Sequence, residues 1–90
     1  MISTAGKLTS DYVATRAWAE HRTVYFELTD GRIVGFPADR YKILKAATVD
    51  QISKVKLRAQ GTALRWEEVD EDLTIAGVME GRFQLPLESE

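Results

Sequence analysis

Residues 23–36 read TVYFELTDGRIVGF, and this stretch decides the fold class. Its first half alternates polar and apolar side chains with the period of a β-strand, and the apolar face consists of Val24, Phe26 and Leu28. Asp30 and Gly31 follow, a pair typical of a type I′ turn, because both central residues of that turn take positive φ. The chain then returns over residues 32–36, so the stretch predicts a β-hairpin whose turn depends on Asp30 and Gly31.

Sequence on the N-terminal side of this hairpin predicts one more strand. Residues 11–20 alternate loosely, which favours a strand, although their alanine content leaves a short helix as the alternative. We expect Trp18, in this segment, to pack in the core, because a small domain with few aromatic residues needs them there; a role as an interface anchor is the alternative. Residues 1–10 are small and polar, which predicts a flexible N-terminus.

Beyond the hairpin the period changes to that of a helix. After Pro37, which cannot donate to a strand ladder, apolar residues recur at helical spacing and predict a short amphipathic helix: Tyr41, Leu44 and Ala47. Thr48, with Gln51 three residues later, has the pattern of a capping box. A second short helix is therefore predicted to begin at Val49.

The last third of the chain predicts two further strands and a helical turn. Residues 54–59 alternate again with a basic outer face, Gly61 predicts a turn, and residues 62–67 return with Trp66 on the buried face. A helical turn is predicted over residues 76–80. The fold class is therefore α+β: a small antiparallel sheet built from hairpins, with one or two short helices packed on one face.

Length and composition indicate a single globular domain. The 90 residues are 44% apolar and 29% charged, as in ordinary soluble proteins. We expect one α+β domain over residues 11–82, followed by a C-terminal tail over 83–90. The chain has no cysteine, which excludes disulfides and thiolate metal sites. It shows no targeting pattern and no apolar run near the ~20 residues of a membrane span, so we expect a cytoplasmic protein without membrane attachment.

Charge divides the chain into blocks. Residues 40–65 carry seven basic side chains against Asp50 alone, whereas residues 66–90 carry eight acidic side chains against Arg82 alone. Such blocks bear on association rather than on fold. Two arrangements stay open at this point: the blocks pair with each other within the fold, or they meet the complementary surface of a partner.

Catalytic chemistry has little support in the sequence, and we expect no enzyme and no cofactor. His21 is the single histidine and lies in a predicted turn, and nucleophile or phosphate-binding motifs are absent. The acidic run over residues 67–72 suits Ca²⁺ or Mg²⁺ by its donor atoms but lacks the spacing of an EF-hand loop. We therefore predict a solvated acidic corner and no metal site, with a metal-dependent hydrolase as a remote alternative.

The leading hypothesis is a non-enzymatic protein-interaction module with a small protein partner. Its predicted contact surfaces are a basic strand face and the acidic corner, formed by Lys54, Lys56, Arg58, Asp70, Glu71 and Asp72. The alternative is a nucleic-acid-associated regulatory protein that uses the basic segment 40–65, which the neighbouring acidic run opposes. An exposed hairpin edge would also allow a homo-oligomer by strand pairing.

Residues 24–81 resemble an uncharacterised bacterial family. The matching pieces are FELTDGR over residues 26–32, YKILKAAT over 41–48 and LRWEEVDEDL over 64–73, together with Leu57, Gly61 and Gly81. The last stretch, in which Trp66 is followed by an acidic triplet, is the most specific. On these motifs the chain is similar to the family catalogued as domain of unknown function 2442.

The resemblance implies an α+β fold and a binding role, and it supplies no catalytic residues. Members of the family usually have proline after the tryptophan and leucine before the acidic triplet, where this chain has Glu67 and Val69. Some members continue into a C-terminal helix-turn-helix, for which we expect this chain to be too short. Others are short single-domain proteins similar to one half of a toxin–antitoxin pair, so the resemblance also implies an antitoxin-like role.

Overall fold

The computed structural model describes residues 12–87, whose strands form two antiparallel three-stranded sheets. The first sheet has the order β1-β2-β3, with β1 at Ala14–Glu20, β2 at Thr23–Leu28 and β3 at Ile33–Pro37. The second has the order β4-β5-β6, with β4 at Lys56–Arg58, β5 at Ala63–Trp66 and β6 at Glu71–Thr74. The predicted α+β class, built from antiparallel hairpins, is confirmed, but it contains two sheets where one was expected.

Three short α-helices accompany these sheets within residues 12–87, at the positions of the two helices and the helical turn predicted from the sequence. They are α1 at Lys42–Ala46, α2 at Val49–Ile52 and α3 at Ile75–Met79. Single 3₁₀ turns cover Ala38–Arg40 and Ala59–Gly61. In this part of the chain, no helix combines the length and the apolar character needed to cross a membrane.

The start of α2 follows from two residues in its own sequence. Thr48 Oγ1 accepts a hydrogen bond from the N–H of Gln51 at 3.1 Å, and Gln51 Oε1 accepts one from the N–H of Thr48 at 3.0 Å. This reciprocal arrangement is the capping box, and it confirms the predicted beginning at Val49.

The turn between β2 and β3 differs in type from the one expected. Gly31 has a φ of 93°, whereas Asp30 is not among the residues with positive φ. The N–H of Gly31 donates to the carbonyl of Leu28 at 2.9 Å. The N–H of Leu28 donates to the carbonyl of Arg32 at 2.8 Å. The type I′ prediction is therefore wrong, and the chain makes a type I turn followed by a left-handed glycine. Asp30 stabilises this turn through its side chain, which accepts from the N–H of Arg32 at 3.1 Å.

The acidic run is divided between a turn and a strand, which the sequence did not predict. Residues 67–70 form the turn, where Asp70 has a φ of 54°, and Glu71 begins β6. β6 pairs with β5 in a register that sets Asp72 opposite Arg65 and Glu71 opposite Trp66. Pairing across the sheet thus overrides the low strand propensity of consecutive carboxylates.

The two ends of the described chain differ in structure. Residues 14–20 form β1, so the strand interpretation of this segment is confirmed and the helical alternative is wrong. Residues 83–87 form no strand, and the N–H groups of Gln84 and Leu85 donate to the carbonyl of Arg40 at 3.0 and 2.9 Å. The expected flexible N-terminus over 1–10 and residues 88–90 of the expected tail lie outside the described residues.

The core draws on both sheets and on all three helices, and Trp66, which is 1% exposed, belongs to it. The indole N–H of Trp66 donates to the carbonyl of Ile52 at 3.0 Å, which connects β5 to the end of α2. Gly61 precedes β5 with a φ of 89°, and a Cβ there would lie 2.5 Å from the carbonyl oxygen of Ala14. This close approach holds the start of β1 against the second sheet, where β1 lies beside β4.

Candidate interaction surface

The basic residues singled out in the sequence lie on the outer side of the second sheet, and most are paired with carboxylates. Lys54 Nζ lies 3.0 Å from Glu68 Oε2 and 3.4 Å from Asp50 Oδ2. Arg58 Nη2 lies 2.6 Å from Glu67 Oε2, and this hydrogen bond is the main reason that the pKa of Glu67 is lowered.

Arg65 connects these pairs to the acidic corner. Its guanidinium lies 2.7 Å from Asp72 Oδ2, 2.8 Å from Asp70 Oδ1 and 3.4 Å from Glu67 Oε1. The hydrogen bond to Asp70 contributes most to raising the pKa of Arg65 above its ordinary value. The sequence predicted Arg65 only as a member of the basic segment, because its position opposite Asp72 depends on β6, a strand that was not predicted.

The basic and acidic blocks therefore meet each other within the fold, which was one of the two arrangements left open. The pairs are exposed to solvent, so each contributes little to the free energy of unfolding. Lys56, opposite Arg65 in the register, is exposed, and its side chain makes no hydrogen bond or ion pair within residues 12–87. The guanidinium of Arg40 lies 4.2 Å from the ring centre of Phe83 and is also engaged within the fold.

Glu71 differs from the other predicted contact residues because the structure places it in the interior. It is 9% exposed and shares the inner face of the sheet with Trp66, while Asp72 points outward. Burial raises the pKa of Glu71 above its ordinary value. We therefore correct its predicted position on the acidic corner. In the described part of the chain, no group of three or more histidine, cysteine, aspartate or glutamate residues is arranged to hold a metal ion.

A second surface, on the outer face of the first sheet, was not predicted from the sequence. Trp18 lies opposite Tyr25 in the register of β1 and β2, and their rings stack with centroids 5.6 Å apart and an interplanar angle of 16°. The guanidinium of Arg16 lies 4.4 Å from the ring centre of Trp18 and forms an ion pair with Glu27. We call these four residues the aromatic face.

The aromatic rings of this face lie outside the core. Trp18 and Tyr25 are half-buried, yet neither belongs to the core nor to the partly buried residues packed against it. The two rings contact each other, Trp18 also contacts Arg16, and Tyr25 lies beside Gly35, where a Cβ would lie 2.7 Å from the Tyr25 ring. The expectation that Trp18 packs in the core is therefore wrong. The aromatic face is a row of large side chains on the outer surface of the first sheet.

The cavities provide fewer groups for binding than these surfaces do. The larger of two described cavities has a volume of about 280 Å³ and is lined by Tyr41, Thr74, Arg82 and Gln84 among others. Its one carboxylate, Asp72, is already paired with Arg65. His21 lies in the turn between β1 and β2 with a φ of 55°, and it does not line this cavity.

The family model and the solved structures that this chain matches are described without a function. Residues 14–84 match a family model described as protein of unknown function (DUF2442). A protein of unknown function from Rhodospirillum rubrum ATCC 11170 has a similar crystal structure, with a TM-score of 0.74 and 32% identity, over 78% of this chain and 87% of that chain. An uncharacterised protein from Chromobacterium violaceum, solved by NMR, has a TM-score of 0.66 and 24% identity, over 78% of this chain and 66% of that chain. The curated proteins include no match.

Proposed function

Because the chain belongs to the DUF2442 family, whose description names no activity, we propose a function from its own surface: a non-enzymatic module that binds a small protein partner. The observation that carries this proposal is the aromatic face, where Arg16, Trp18 and Tyr25 lie in one row outside the core. Tryptophan, tyrosine and arginine are the residues most enriched among those that dominate binding energies in protein interfaces.

The packing of this row favours binding because its side chains are already ordered. Trp18 is held between the guanidinium of Arg16 and the ring of Tyr25, and Arg16 is held in turn by Glu27. A partner would therefore lose little side-chain entropy on this surface when it binds. The exposed charges at Lys54, Lys56, Arg58, Asp70 and Asp72 would act on the rate and orientation of encounter more than on affinity.

The finer form of this proposal is the antitoxin-like half of a bacterial toxin–antitoxin pair, with a small cytoplasmic toxin as the partner. In that case the partner expressed alone would arrest bacterial growth, and co-expression of this chain would relieve the arrest. Nucleic-acid binding through residues 40–65 has no comparable support, because Lys54, Arg58 and Arg65 are each paired with carboxylates. Recovery of nucleic acid in place of a protein would contradict the proposal.

The test is affinity capture of the tagged chain from its source bacterium, with quantitative mass spectrometry of wild type and a Trp18→Ala variant. We expect a stoichiometric small protein with wild type, and a loss of about thirtyfold in affinity for the purified partner with the variant, which corresponds to about 2 kcal/mol. Trp18 lies outside the core, so the variant should remain folded, as circular dichroism would show.

The matched control is Ile43→Ala, which removes an apolar side chain that is 42% exposed on α1. It should retain the partner with unchanged affinity. If both variants bind the partner as wild type does, or if both lose it equally, the aromatic face is not the binding surface.

A further inference from the structure

The two sheets present edges of different character. β1 lies beside β4, which leaves β3 at the outer edge of the first sheet and β6 at that of the second. β6 carries Glu71 and Asp72, and charged residues are a common protection of sheet edges against strand pairing. β3 has no charged residue: it reads IVGFP, and Ile33 within it is 55% exposed. Among residues 12–87, the edge of β3 is therefore open to another strand.

The hydrogen-bond pattern of β3 fixes which backbone groups are available. Phe26 lies opposite Val34 in the register of β2 and β3. Beyond one end of β3 the N–H of Leu28 donates to the carbonyl of Arg32, and beyond the other the N–H of Ala38 donates to the carbonyl of Arg22. Every second residue along β3 is therefore hydrogen-bonded to β2. Val34 and Phe36 therefore direct their N–H and carbonyl groups toward β2. Ile33 and Gly35 direct theirs outward, each with one donor and one acceptor. Pro37 ends the available edge, since it has no N–H.

We propose that a second copy of this chain pairs with β3 in an antiparallel, two-fold symmetric dimer that sets Ile33 opposite Gly35 of the other protomer. This register uses all the outward groups, because the Ile33 and Gly35 N–H groups of each protomer donate to the Gly35 and Ile33 carbonyls of the other. Shifting the pairing so that Gly35 faces Gly35 would bring Ile33 opposite Pro37, which has no N–H to return. The proposal goes beyond the aromatic face and does not depend on it.

Side-chain packing supports the same register. Gly35 has no side chain, and the Tyr25 ring occupies the space beside it. An isoleucine side chain from the opposite protomer would therefore lie over Gly35 and against Tyr25, which would cover the exposed Ile33. In the paired sheet, the row from Trp18 through Tyr25 would continue into the isoleucine of the second protomer.

The absence of cysteine allows this register to be tested with single thiols. Val34 lies on the two-fold axis, in a non-hydrogen-bonded pair with its own copy, where Cα atoms are about 4.5 Å apart and suit a disulfide. The two Ile33 residues would lie about 8 Å apart, which is too far. We expect Val34→Cys to oxidise to a disulfide-linked dimer and Ile33→Cys to form no disulfide, although Ile33 is the more exposed of the two.

The second measurement is sedimentation of the full chain over about a hundredfold range of concentration, because a contact confined to one edge is small and reversible. Wild type should shift from monomer to dimer. Ile33→Lys should abolish the shift, and Ile43→Lys, at an exposed position on α1, should leave it unchanged. A wild type that stays monomeric, as it would if residues 1–11 or a foreign strand took the edge, would overturn the proposal. So would faster cross-linking at Ile33 than at Val34.

Discussion

At the scale of single residues, Glu71 shows how strand alternation separates neighbouring carboxylates. Asp72 points to the outer face, where Arg65 pairs with it, while Glu71 points inward beside Trp66. The one hydrogen bond that the Glu71 carboxylate accepts within residues 12–87 comes from the N–H of Asp72 at 3.1 Å, and the carboxylate forms no ion pair there. Burial favours the neutral acid, and the pKa of Glu71 is therefore raised.

This raised pKa predicts a loss of stability as the pH rises. The unfolded chain releases the Glu71 proton near the ordinary pKa of 4.5, whereas the folded chain holds it to higher pH. Below that ordinary value both states are protonated and burial costs little. Above it the free energy of unfolding falls, until the pH has passed the folded pKa. We expect Glu71→Gln to gain stability relative to wild type between acidic and neutral pH, as urea unfolding at both would show.

Glu68→Gln is the control for that prediction, because Glu68 is exposed and paired with Lys54. Its free energy of unfolding should not increase relative to that of wild type as the pH rises. An equal gain in both variants, or a constant difference between Glu71→Gln and wild type at every pH, would mean that burial of Glu71 does not perturb its titration.

At the scale of elements, α1 is held at both ends by residues distant in sequence. The guanidinium of Arg22 donates to the carbonyls of Leu44, Lys45 and Ala47 at 2.9, 3.1 and 2.9 Å. At the other end, Gln84 Oε1 accepts from the N–H of Lys42 at 2.7 Å, since Tyr41 provides no side-chain cap. A helix of five residues has little stability of its own, so these contacts hold it in place.

Arg22→Lys tests this dependence because it keeps the charge but loses the planar fork that reaches three carbonyls. We expect the variant to lose about 1–3 kcal/mol of unfolding free energy and the amides of α1 to exchange faster with solvent. The amides of α2, which has its own capping box, should keep their protection in the same sample. Arg32→Lys is the control, since Arg32 pairs with Asp30 in an exposed turn. Unchanged exchange in α1 would refute the role given to Arg22.

The elements also show what the sequence can and cannot predict. The capping box of α2 was predicted because both of its hydrogen bonds join Thr48 to Gln51, three residues away. β6 was missed because its strand character comes from pairing with β5, against the propensity of its acidic residues. The aromatic face was missed because a bulge between Ala14 and Arg16 shifts the register of β1. Ala14 therefore points into the core and Arg16 outward, and simple alternation assigns the wrong face to Trp18.

At the scale of the whole molecule, the basic and acidic segments of the sequence neutralise each other locally. The basic block and the acidic block form the two sides of the second sheet's ion pairs, through Lys54, Arg58 and Arg65. A surface of paired charges releases few counterions from a polyanion, since the carboxylates stay close to the cations. In the folded chain, carboxylates therefore neutralise part of the basic segment that stands out in the sequence.

Removing the carboxylates should expose the charge of that basic segment. In the variant Glu67→Gln, Asp70→Asn and Asp72→Asn, three fewer negative charges change the net charge from −2 to +1 and leave Arg58 and Arg65 without their partners. We expect wild type to show no shift of duplex DNA in a gel at low salt. The variant should bind, with a log–log salt dependence of slope about −2, as for roughly two phosphate contacts.

The control for this experiment changes the net charge equally at positions outside residues 56–74, with Glu20→Gln, Glu88→Gln and Glu90→Gln. It should not bind DNA at low salt, because Arg58 and Arg65 keep their carboxylates. Circular dichroism must show that all three proteins are folded, since unfolded basic segments bind polyanions without any specific surface. Binding by wild type would mean that the ion pairs do not mask the basic block. Equal binding by both variants would mean that net charge, rather than the pairing on the second sheet, decides the interaction.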